Sequence, residues 1–249
     1  MAIKFSKKYE INYYDVDYKL ECKLSSIVNF LCDIGNEQAE SVGDTIENLA
    51  EKNSAWVFYK YDIRMKKYPK YRDVISIETT PAGFNKFYAY RNYKITNLSG
   101  EIIGEAVALF FLIDIEKRRP KRISKEQLKA YDSEDIANVS IEMEKIPNLE
   151  SVNFDKLFRV RYSDIDSNGH VNNVKYIEWA IESVPLEIVK EYTLKRVKVV
   201  FEKEAKYGHN VKVEAQIINS SENKITSVHR IIGEEDNEFT KLELAWERE

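Results

Sequence analysis

The sequence predicts an α+β fold made of two similar units in tandem, and three observations lead to that prediction. The chain has 249 residues, which at roughly 150 residues per domain fits one large domain or two small ones. With 43% hydrophobic and 32% charged residues, it can bury a sizeable core. Helical periodicity followed by runs of β-branched and aromatic residues occurs twice along the chain. One long helix with an antiparallel sheet, repeated, is an α+β pattern.

An internal duplication supports the two-unit prediction. The segment Tyr-Tyr-Asp-Val-Asp at residues 13–17 has a counterpart 149 residues later, Tyr-Ser-Asp-Ile-Asp at residues 162–166. Each of these segments runs into a predicted helix. Further along, Lys70-Tyr71 and Lys206-Tyr207 lie 136 residues apart, and each pair precedes a strand of alternating polarity. The order of elements therefore repeats, as expected of a duplicated domain.

The first half begins with a predicted helix of about four turns. Residues suited to one helix face recur with helical spacing at Ile27, Leu31, Ile34 and Gln38. Ser25 or Ser26 can cap its start, and Gly43 can end it in a left-handed turn. Four segments rich in β-branched and aromatic residues follow, at 55–65, 74–80, 86–95 and 101–115. We expect these four strands to form an antiparallel meander.

The second half repeats the plan. A helix is predicted over residues 173–184, ended by Pro185, and four strands are predicted at 195–202, 210–218, 224–232 and 239–246. Residues 118–153 between the halves are rich in charge and lack apolar periodicity, apart from the capping box Ser124–Gln127. We therefore place the first domain at residues 1–130, a linker at 131–153 and the second domain at 154–249.

Composition excludes several classes of function. Lys and Arg number 38 against 42 Asp and Glu, so no global basic field is present and nucleic-acid binding is disfavoured. The longest apolar run, residues 106–113, is far short of the roughly 20 residues needed to cross a bilayer. Residues 1–10 resemble neither a signal peptide nor a transit peptide, which predicts a cytoplasmic location. Cys22 and Cys32 are too few for a disulfide framework, so reduced buried thiols are expected.

The densest polar cluster of the chain lies at residues 164–173, between a predicted strand and a predicted helix. Asp166, Asn168 and His170 alternate there, so their side chains can converge if the stretch is extended. Gly169 lets the backbone approach a ligand closely. A polar turn that merely caps the helix would also fit this composition. The duplication argues against that alternative, because the first half retains only the Asp pair.

These residues resemble a known family, the acyl-acyl-carrier-protein thioesterases, which are built from two hotdog folds. The stretch at residues 163–176, Ser-Asp-Ile-Asp-Ser-Asn-Gly-His-Val-Asn-Asn-Val-Lys-Tyr, closely resembles the signature of the family's second hotdog. The resemblance extends to Arg118-Arg119-Pro120 and to Phe-Glu-Lys-Glu-Ala at residues 201–205. It implies a tandem hotdog fold, each hotdog a long helix wrapped by an antiparallel sheet.

The resemblance also implies a function and a set of site residues. The function is hydrolysis of acyl-acyl carrier protein to free fatty acid, which terminates fatty acid chain elongation. The catalytic positions of the family correspond to Asp166, Asn168, His170 and Glu204. Residues expected to contact substrate are Gly169, Val171, Asn172, Asn173, Phe30 and Ile34, the last two in a degenerate first hotdog that holds the acyl chain. The plant enzymes carry a Cys after the catalytic Glu, whereas this chain has Ala205, so direct attack by water is favoured.

A chemical hypothesis follows for these residues. Thioester hydrolysis needs an activated water, a stabiliser for the oxyanion and a proton for the departing thiol. Either Glu204 or His170 would activate the water, Asp166 would orient the network, and Asn168 would hold the water or the carbonyl. Backbone N–H groups near His170 and Val171 would receive the oxyanion. No metal-ligand spacing and no nucleotide-binding motif is present, so neither a metal nor a cofactor is expected.

A basic run stands out in this acidic chain and suggests a partner. It contains Arg118, Arg119, Lys121 and Arg122, and it is either a solvated loop or a docking surface for the acidic acyl carrier protein. An acyl-CoA thioesterase and a non-catalytic acyl-binding module remain alternative functions. A monomer with internal pseudo-symmetry or a homodimer would fit the duplication. The preferred acyl chain length is not predicted.

Overall fold

The computed structural model describes residues 2–248, and in that range it contains eleven strands and five α-helices. The chain divides into two compact units. The first unit comprises the residues up to Tyr59 together with Met65–Met143, and the second comprises Lys60–Arg64 and the residues from Glu144 onward. The division between Met143 and Glu144 falls inside the predicted linker. Among the helices of residues 2–248, none combines the length and the hydrophobicity that a membrane span requires.

The first unit is a helix packed on an antiparallel sheet. Its elements are β1 (Phe5–Glu10), α1 (Leu24–Ser41), α2 (Ile46–Glu51), β2 (Ser54–Met65), β3 (Val74–Phe84), β4 (Tyr88–Asn97), β5 (Ile102–Asp114), β6 (Arg119–Pro120) and α3 (Lys125–Ala130). The strand order is β1-β3-β4-β5-β2, with β6 paired to β5. The predicted meander is correct for β3, β4 and β5, but β2 lies beside β5 rather than beside β3. Short turns join β3 to β4 and β4 to β5, whereas the longer connection of residues 66–73 leaves β2 and β3 free to separate.

The second unit has the same order of elements. They are β7 (Phe154–Arg159), α4 (Asn173–Ser183), α5 (Leu186–Glu191), β8 (Thr193–Phe201), β9 (Asn210–Ser220), β10 (Lys224–Ile232) and β11 (Glu238–Glu247). The strand order is β7-β9-β10-β11-β8, which corresponds element by element to that of the first unit. Lys60–Arg64 of β2 pairs antiparallel with β8 and so belongs to this unit.

The long helix of each unit buries one face against its sheet. In the first unit, Ile27, Leu31, Ile34 and Gln38 are fully buried on α1, as their spacing predicts. Burying one such aliphatic side chain contributes about 1.5–3 kcal/mol. In the second unit, α4 packs on β7, β9, β10 and β11 and buries Ile177 and Ala180 completely. One helix on an antiparallel sheet in each unit confirms the predicted tandem hotdog fold.

The start of α1 differs from the prediction, whereas its end agrees with it. The helix starts at Leu24, with Lys23 as an extended N-cap that makes no side-chain capping bond, so neither Ser25 nor Ser26 is the cap. Those two serines are buried inside the first turn instead. The helix end is as predicted, because Gly43 adopts a φ of +76° directly after it.

Part of the predicted linker is packed on the first unit. Tyr131 and Ser133 are buried, and Ala137 forms a parallel bridge to Phe84. The side chain of Asn85 donates a 3.0 Å hydrogen bond to the hydroxyl of Ser140. Residues 131–140 therefore belong to the fold of the first unit. Their charged composition alone predicts a linker instead.

Candidate functional site

The polar cluster forms a closed loop between β7 and α4. Ile165 pairs with Val171 in an isolated bridge, and the N–H of Asp166 donates to the carbonyl of His170 at 2.8 Å. Gly169 lies at the loop tip with a φ of +77°, where a residue with a side chain would be strained. The chain therefore doubles back over six residues and presents His170 beside the start of the helix.

The carboxylate of Asp166 holds this loop together. Its Oδ1 accepts hydrogen bonds from the backbone N–H of Asn168 at 2.8 Å and of His170 at 3.4 Å. The first unit repeats the arrangement, because Oδ1 of Asp17 accepts from the N–H of Lys19 at 2.8 Å and of Glu21 at 3.1 Å. Asp166 is thus part of a loop architecture that both units share.

His170 and Glu204 are brought together from distant parts of the second unit. The Nε2 atom of His170 lies 3.3 Å from Oε2 of Glu204, and the two side chains are 20% and 37% exposed. Glu204 lies in the connection from β8 to β9, just after the strand ends at Phe201. It borders an open depression of about 450 Å³ that Asn210 and Asn237 also line. A partly buried imidazole in contact with an exposed carboxylate can take a proton from water and pass it to a departing thiolate.

The backbone of Ala205 connects these two side chains. Its carbonyl accepts a 3.0 Å hydrogen bond from the N–H of Val171, the residue after His170. Its own N–H donates to the hydroxyl of Tyr176 at 2.9 Å. Burial raises the pKa of Tyr176 to about 12, the Ala205 N–H opposes this shift, and the negative charges of Glu204 and Asp166 add to it. The phenol is therefore protonated at neutral pH.

The backbone oxyanion site predicted near His170 and Val171 is not available in this structure. The N–H of Val171 donates to Ala205, and the N–H of His170 donates to Asp166 in a long bond. The side chain of Asn168 is exposed and makes no hydrogen bond within the described range, so it can take a water or a carbonyl oxygen. Among the alternating residues, the side-chain amide of Asn168 therefore replaces the backbone as the candidate donor to an oxyanion.

The first turn of α4 uses one of its two asparagines for capping. The side chain of Asn172 accepts from the N–H of Val174 at 3.0 Å, and its backbone N–H donates to the backbone carbonyl of Asp164 at 2.8 Å. Burial alone would raise the pKa of Asp164, but hydrogen bonds from Arg161 outweigh it and hold this pKa below its usual value. Asn173 is the first helical residue and is half-buried. The structure thus gives Asn172 a capping role, while Asn173 is placed at the positive end of the helix.

An apolar cavity of about 80 Å³ lies inside the first unit. Its lining includes Cys32, Gly35 and Ala39 of α1, together with Trp56 and Phe110 of the sheet. Phe30 and Ile34, expected to contact the acyl chain, do not line it. Ile34 is fully buried in the core, and the ring of Phe30 stacks on Tyr9 with centroids 4.6 Å apart, because both residues lie on other faces of the helix.

The basic residues surround a short turn of the first unit. Arg118, Arg119 and Arg122 are exposed, and Arg118 adopts a φ of +48° at the turn before β6. The ammonium of Lys121 instead donates to the carbonyl of Lys52. Within residues 2–248, no group of three or more His, Cys, Asp or Glu side chains could hold a metal ion. The absence of a metal nevertheless remains a prediction from the sequence.

Tyr176 is a residue of this site that the sequence reasoning missed. A signal for it was present in the duplication, since the residue 149 positions earlier is Ile27, which has no hydroxyl. Asn168, His170 and Glu204 each differ in residue type from their counterparts in the first half, and this difference identified them as candidate site residues. Tyr176 differs from its counterpart in the same way.

Comparisons with known proteins identify the family of the chain. The family model described as the acyl-ACP thioesterase N-terminal domain matches residues 2–131, and that of the acyl-ACP thioesterase C-terminal domain matches residues 148–248. The chain is 26% identical over 224 residues to the chloroplastic oleoyl-acyl carrier protein thioesterase 1 of Arabidopsis thaliana, covering 82% of this chain and 61% of that relative. It is 26% identical over 251 residues to the oleoyl-acyl carrier protein thioesterase of Coriandrum sativum, covering 93% and 67%.

Solved structures share the fold over nearly the whole chain. A Lactobacillus plantarum protein described as an oleoyl thioesterase superposes with a TM-score of 0.90 at 25% identity, covering 99% of this chain and 97% of that one. The 12:0-ACP thioesterase of Umbellularia californica gives a TM-score of 0.88 at 21% identity, covering 99% and 94%. The chain itself spans about three fifths of the length of the Arabidopsis relative. With both domain models matched in order along the sequence, the chain belongs to the acyl-ACP thioesterase family.

Proposed function

We propose that this protein hydrolyses the thioester of acyl-acyl carrier protein, releases free fatty acid and so terminates chain elongation. The observation that carries the proposal is the contact of 3.3 Å between His170 and Glu204. The first unit has the same loop but carries Glu21 and Tyr68 at the corresponding positions. An acid/base pair kept in one copy of a duplicated loop favours catalysis over a structural role for the turn. The names of the family and of its relatives supply the class of substrate.

The proposed reaction uses water as the nucleophile. Glu204 or His170 removes a proton from a water as its oxygen attacks the thioester carbonyl, and the amide of Asn168 donates to the resulting oxyanion. Collapse of the tetrahedral intermediate breaks the carbon–sulfur bond, and the proton held by the Glu204–His170 pair passes to the departing thiolate. Asp166 keeps His170 in place by holding the loop. The products are the fatty acid and the free thiol of the carrier.

A covalent cysteine mechanism does not fit the site. Ala205 is fully buried at the position after Glu204, the position at which the family resemblance implies a cysteine in the plant enzymes. Cys22 is buried in the first unit, and burial, together with the nearby charge of Asp15, raises the pKa of its thiol to about 12. A thiol with such a pKa is protonated at neutral pH and is a poor nucleophile. We therefore favour water as the nucleophile that attacks the thioester.

Two further roles are proposed for the first unit. Its apolar cavity accepts the acyl chain, since Trp56, Phe110 and the small residues of α1 offer an apolar lining to an alkyl group. Its exposed Arg118, Arg119 and Arg122 dock the acidic carrier protein, because complementary charge steers such a partner. The cytoplasmic location and the choice between a monomer and a homodimer remain predictions from the sequence.

The test is steady-state hydrolysis of a series of acyl chains, each presented on carrier protein and on coenzyme A. The variant Glu204→Gln should lose about 10²–10⁴ in kcat on carrier-protein substrates, the usual scale for an acid or base. Glu202→Gln is the matched control, because Glu202 is exposed two residues earlier and should leave kcat within twofold.

Each alternative function has its own outcome. Faster turnover on coenzyme A than on carrier protein would replace the proposal with an acyl-CoA thioesterase. Binding of acyl chains without turnover on either carrier would indicate an acyl-binding module. Equal activity of Glu204→Gln and wild type would remove Glu204 from the mechanism.

A further inference from the structure

Tyr176 is buried in the second unit with its hydroxyl at the catalytic loop. The side chain is 2% exposed, and its ring packs edge-on against Trp179 and Phe201, with centroids 5.5 and 5.9 Å away. The ring is therefore held by apolar contacts alone. The hydroxyl makes a polar contact: it accepts the 2.9 Å hydrogen bond from the N–H of Ala205.

Ala205 lies between the two residues that form the acid/base pair. It directly follows Glu204 in the chain, and its carbonyl receives the N–H of Val171, which directly follows His170, at 3.0 Å. Its N–H and its carbonyl are thus both engaged, one by Tyr176 on α4 and one by the loop. The N–H belongs to the peptide unit between Glu204 and Ala205, and the carbonyl belongs to the next one, so the two bonds fix the peptide units on both sides of the Ala205 Cα and restrict rotation of the backbone next to Glu204. One bond alone would leave the peptide bond before Ala205 free to tilt, and the carboxylate would move with it.

The first unit shows what the loop looks like without catalytic residues. There, the N–H of Cys22 donates to the carbonyl of Pro69 at 2.8 Å, which corresponds to the bond from Val171 to Ala205. Pro69 has no N–H, and the counterpart of Tyr176 is Ile27, which has no hydroxyl. Both partners of the second bond are therefore missing from the copy that lacks the His and Glu pair, while the first bond is retained. The loop folds without the tyrosine, so this hydroxyl is not needed to build it.

We infer that Tyr176 is a positioning residue for the hydrolysis, and that its hydroxyl sets the orientation of the Glu204 carboxylate toward His170 by fixing the N–H of Ala205. The inference rests on the proposed function, since it assigns a role within that reaction. A shift of about 1 Å in a catalytic group costs about 100-fold in rate. Because the side chain of Tyr176 is only 2% exposed, it is not accessible to substrate, and the effect belongs in kcat rather than in KM.

The experiment compares Tyr176→Phe with wild type. The phenylalanine keeps the ring contacts with Trp179 and Phe201, so the variant should fold, with a kcat about 10–100-fold lower and a KM within twofold of wild type. Tyr192→Phe is the matched control, because its hydroxyl also bonds one backbone group, the carbonyl of Glu222 at 3.1 Å, away from the site. The control should keep wild-type kcat.

A second measurement does not depend on activity. Hydrogen exchange of the Ala205 amide, followed by NMR, should become at least tenfold faster in Tyr176→Phe and stay unchanged in Tyr192→Phe. A lowered melting temperature with unchanged kcat would show a merely structural role and overturn the inference. Unchanged exchange of the Ala205 amide would overturn it as well. If wild type itself hydrolysed no thioester, the proposed function would fail, and the inference would fail with it even if the exchange result held.

Discussion

Asp166 and Asp17 hold two nearly identical loops, and comparing them separates loop building from catalysis. Each carboxylate accepts two backbone N–H groups of its own loop, as an Asp does when it replaces a backbone turn. The alternation of Asp166, Asn168 and His170 suggested three converging side chains. The structure instead turns the carboxylate of Asp166 back onto the loop, because closing the hairpin leaves those N–H groups in need of an acceptor.

The two aspartates should respond differently to substitution. Asp166→Ala and Asp17→Ala should each lower the free energy of unfolding by about 1 kcal/mol, since each removes comparable hydrogen bonds. Asp166→Ala should also lower kcat by about 100-fold, because His170 shifts with the loop. Steady-state kinetics and chemical denaturation of both variants check this. A comparable loss of kcat in Asp17→Ala would contradict the assignment of catalysis to the second loop.

His229 is a buried histidine outside the site and predicts a pH dependence of stability. Its Nδ1 lies 3.1 Å from the hydroxyl of Ser183, and its Nε2 lies 2.8 Å from that of Ser227. Ser183 donates its own proton to Ala180, so Nδ1 carries the hydrogen and Nε2 accepts from Ser227. Burial lowers the pKa of His229 from 6.5 to about 3, so the ring is neutral in the folded protein.

The sign of the effect follows from proton uptake by the unfolded state. Below about pH 6.5, His229 binds a proton in the unfolded chain, whereas in the folded protein it stays neutral down to about pH 3. The folded state is therefore favoured most above pH 6.5, and this contribution to the free energy of unfolding is lost as the pH falls. Between about pH 6.5 and pH 3, the unfolding equilibrium constant should rise by up to about tenfold for each unit by which the pH falls. His229→Gln should lack this component, measured as the difference between the two proteins from pH 7 to pH 5. Parallel pH curves for both proteins would contradict the prediction.

At the scale of elements, periodicity predicted the strands and helices well and their neighbours less well. The strands predicted at 210–218 and 224–232 are observed as Asn210–Ser220 and Lys224–Ile232, because alternation reports directly on a half-buried sheet. The position of β2 beside β5 could not be read in this way, because strand order depends on connections and packing rather than on the pattern within a strand. The short helices α2 and α5 were missed, since one and a half turns carry little periodicity.

The packing of residues 131–140 on the first unit leads to a prediction at Gly83. A Cβ added there would lie 2.8 Å from the carbonyl oxygen of Val139, a backbone atom that cannot rotate away. Gly83→Ala should therefore displace this segment and cost about 1–3 kcal/mol of unfolding free energy. Limited proteolysis should cut near Val139 faster than in wild type. Ser140→Ala, which removes the hydroxyl bonded to Asn85 and Tyr90 without adding bulk, is the control and should be cut at nearly the wild-type rate. Equal cutting of all three proteins would show that the segment does not depend on this contact.

At the scale of the whole molecule, the net charge is −4, yet the first unit exposes a local basic surface. The variant Arg118→Glu/Arg119→Glu should raise the KM for acyl-carrier-protein substrate about tenfold at low salt, and the difference should shrink as salt rises, because screening removes steering. Lys8→Glu/Lys145→Glu makes the same change in net charge at exposed residues elsewhere and is the control. A KM unaffected by the arginine reversals, or equally raised by the control, would remove this surface as the docking site.

In the proposed function, the two copies have diverged: one carries the acid/base pair, and the cavity of the other accepts the acyl chain. A cavity of about 80 Å³ is small enough for a single side chain to fill. Ala39→Leu adds three carbons from α1 with little change in helix propensity, so it should shorten the accepted chain and lower kcat/KM about tenfold for the best wild-type substrate. Shorter acyl chains should be affected less. Ala50→Leu places the same side chain at an exposed position of α2 and should leave the chain-length profile unchanged. A leucine that fills the acyl cavity should reduce activity on long chains more than on short ones, whereas a general disturbance of the fold should affect all lengths alike. If Ala39→Leu reduced activity on every chain length equally, the acyl group would have to be accommodated elsewhere.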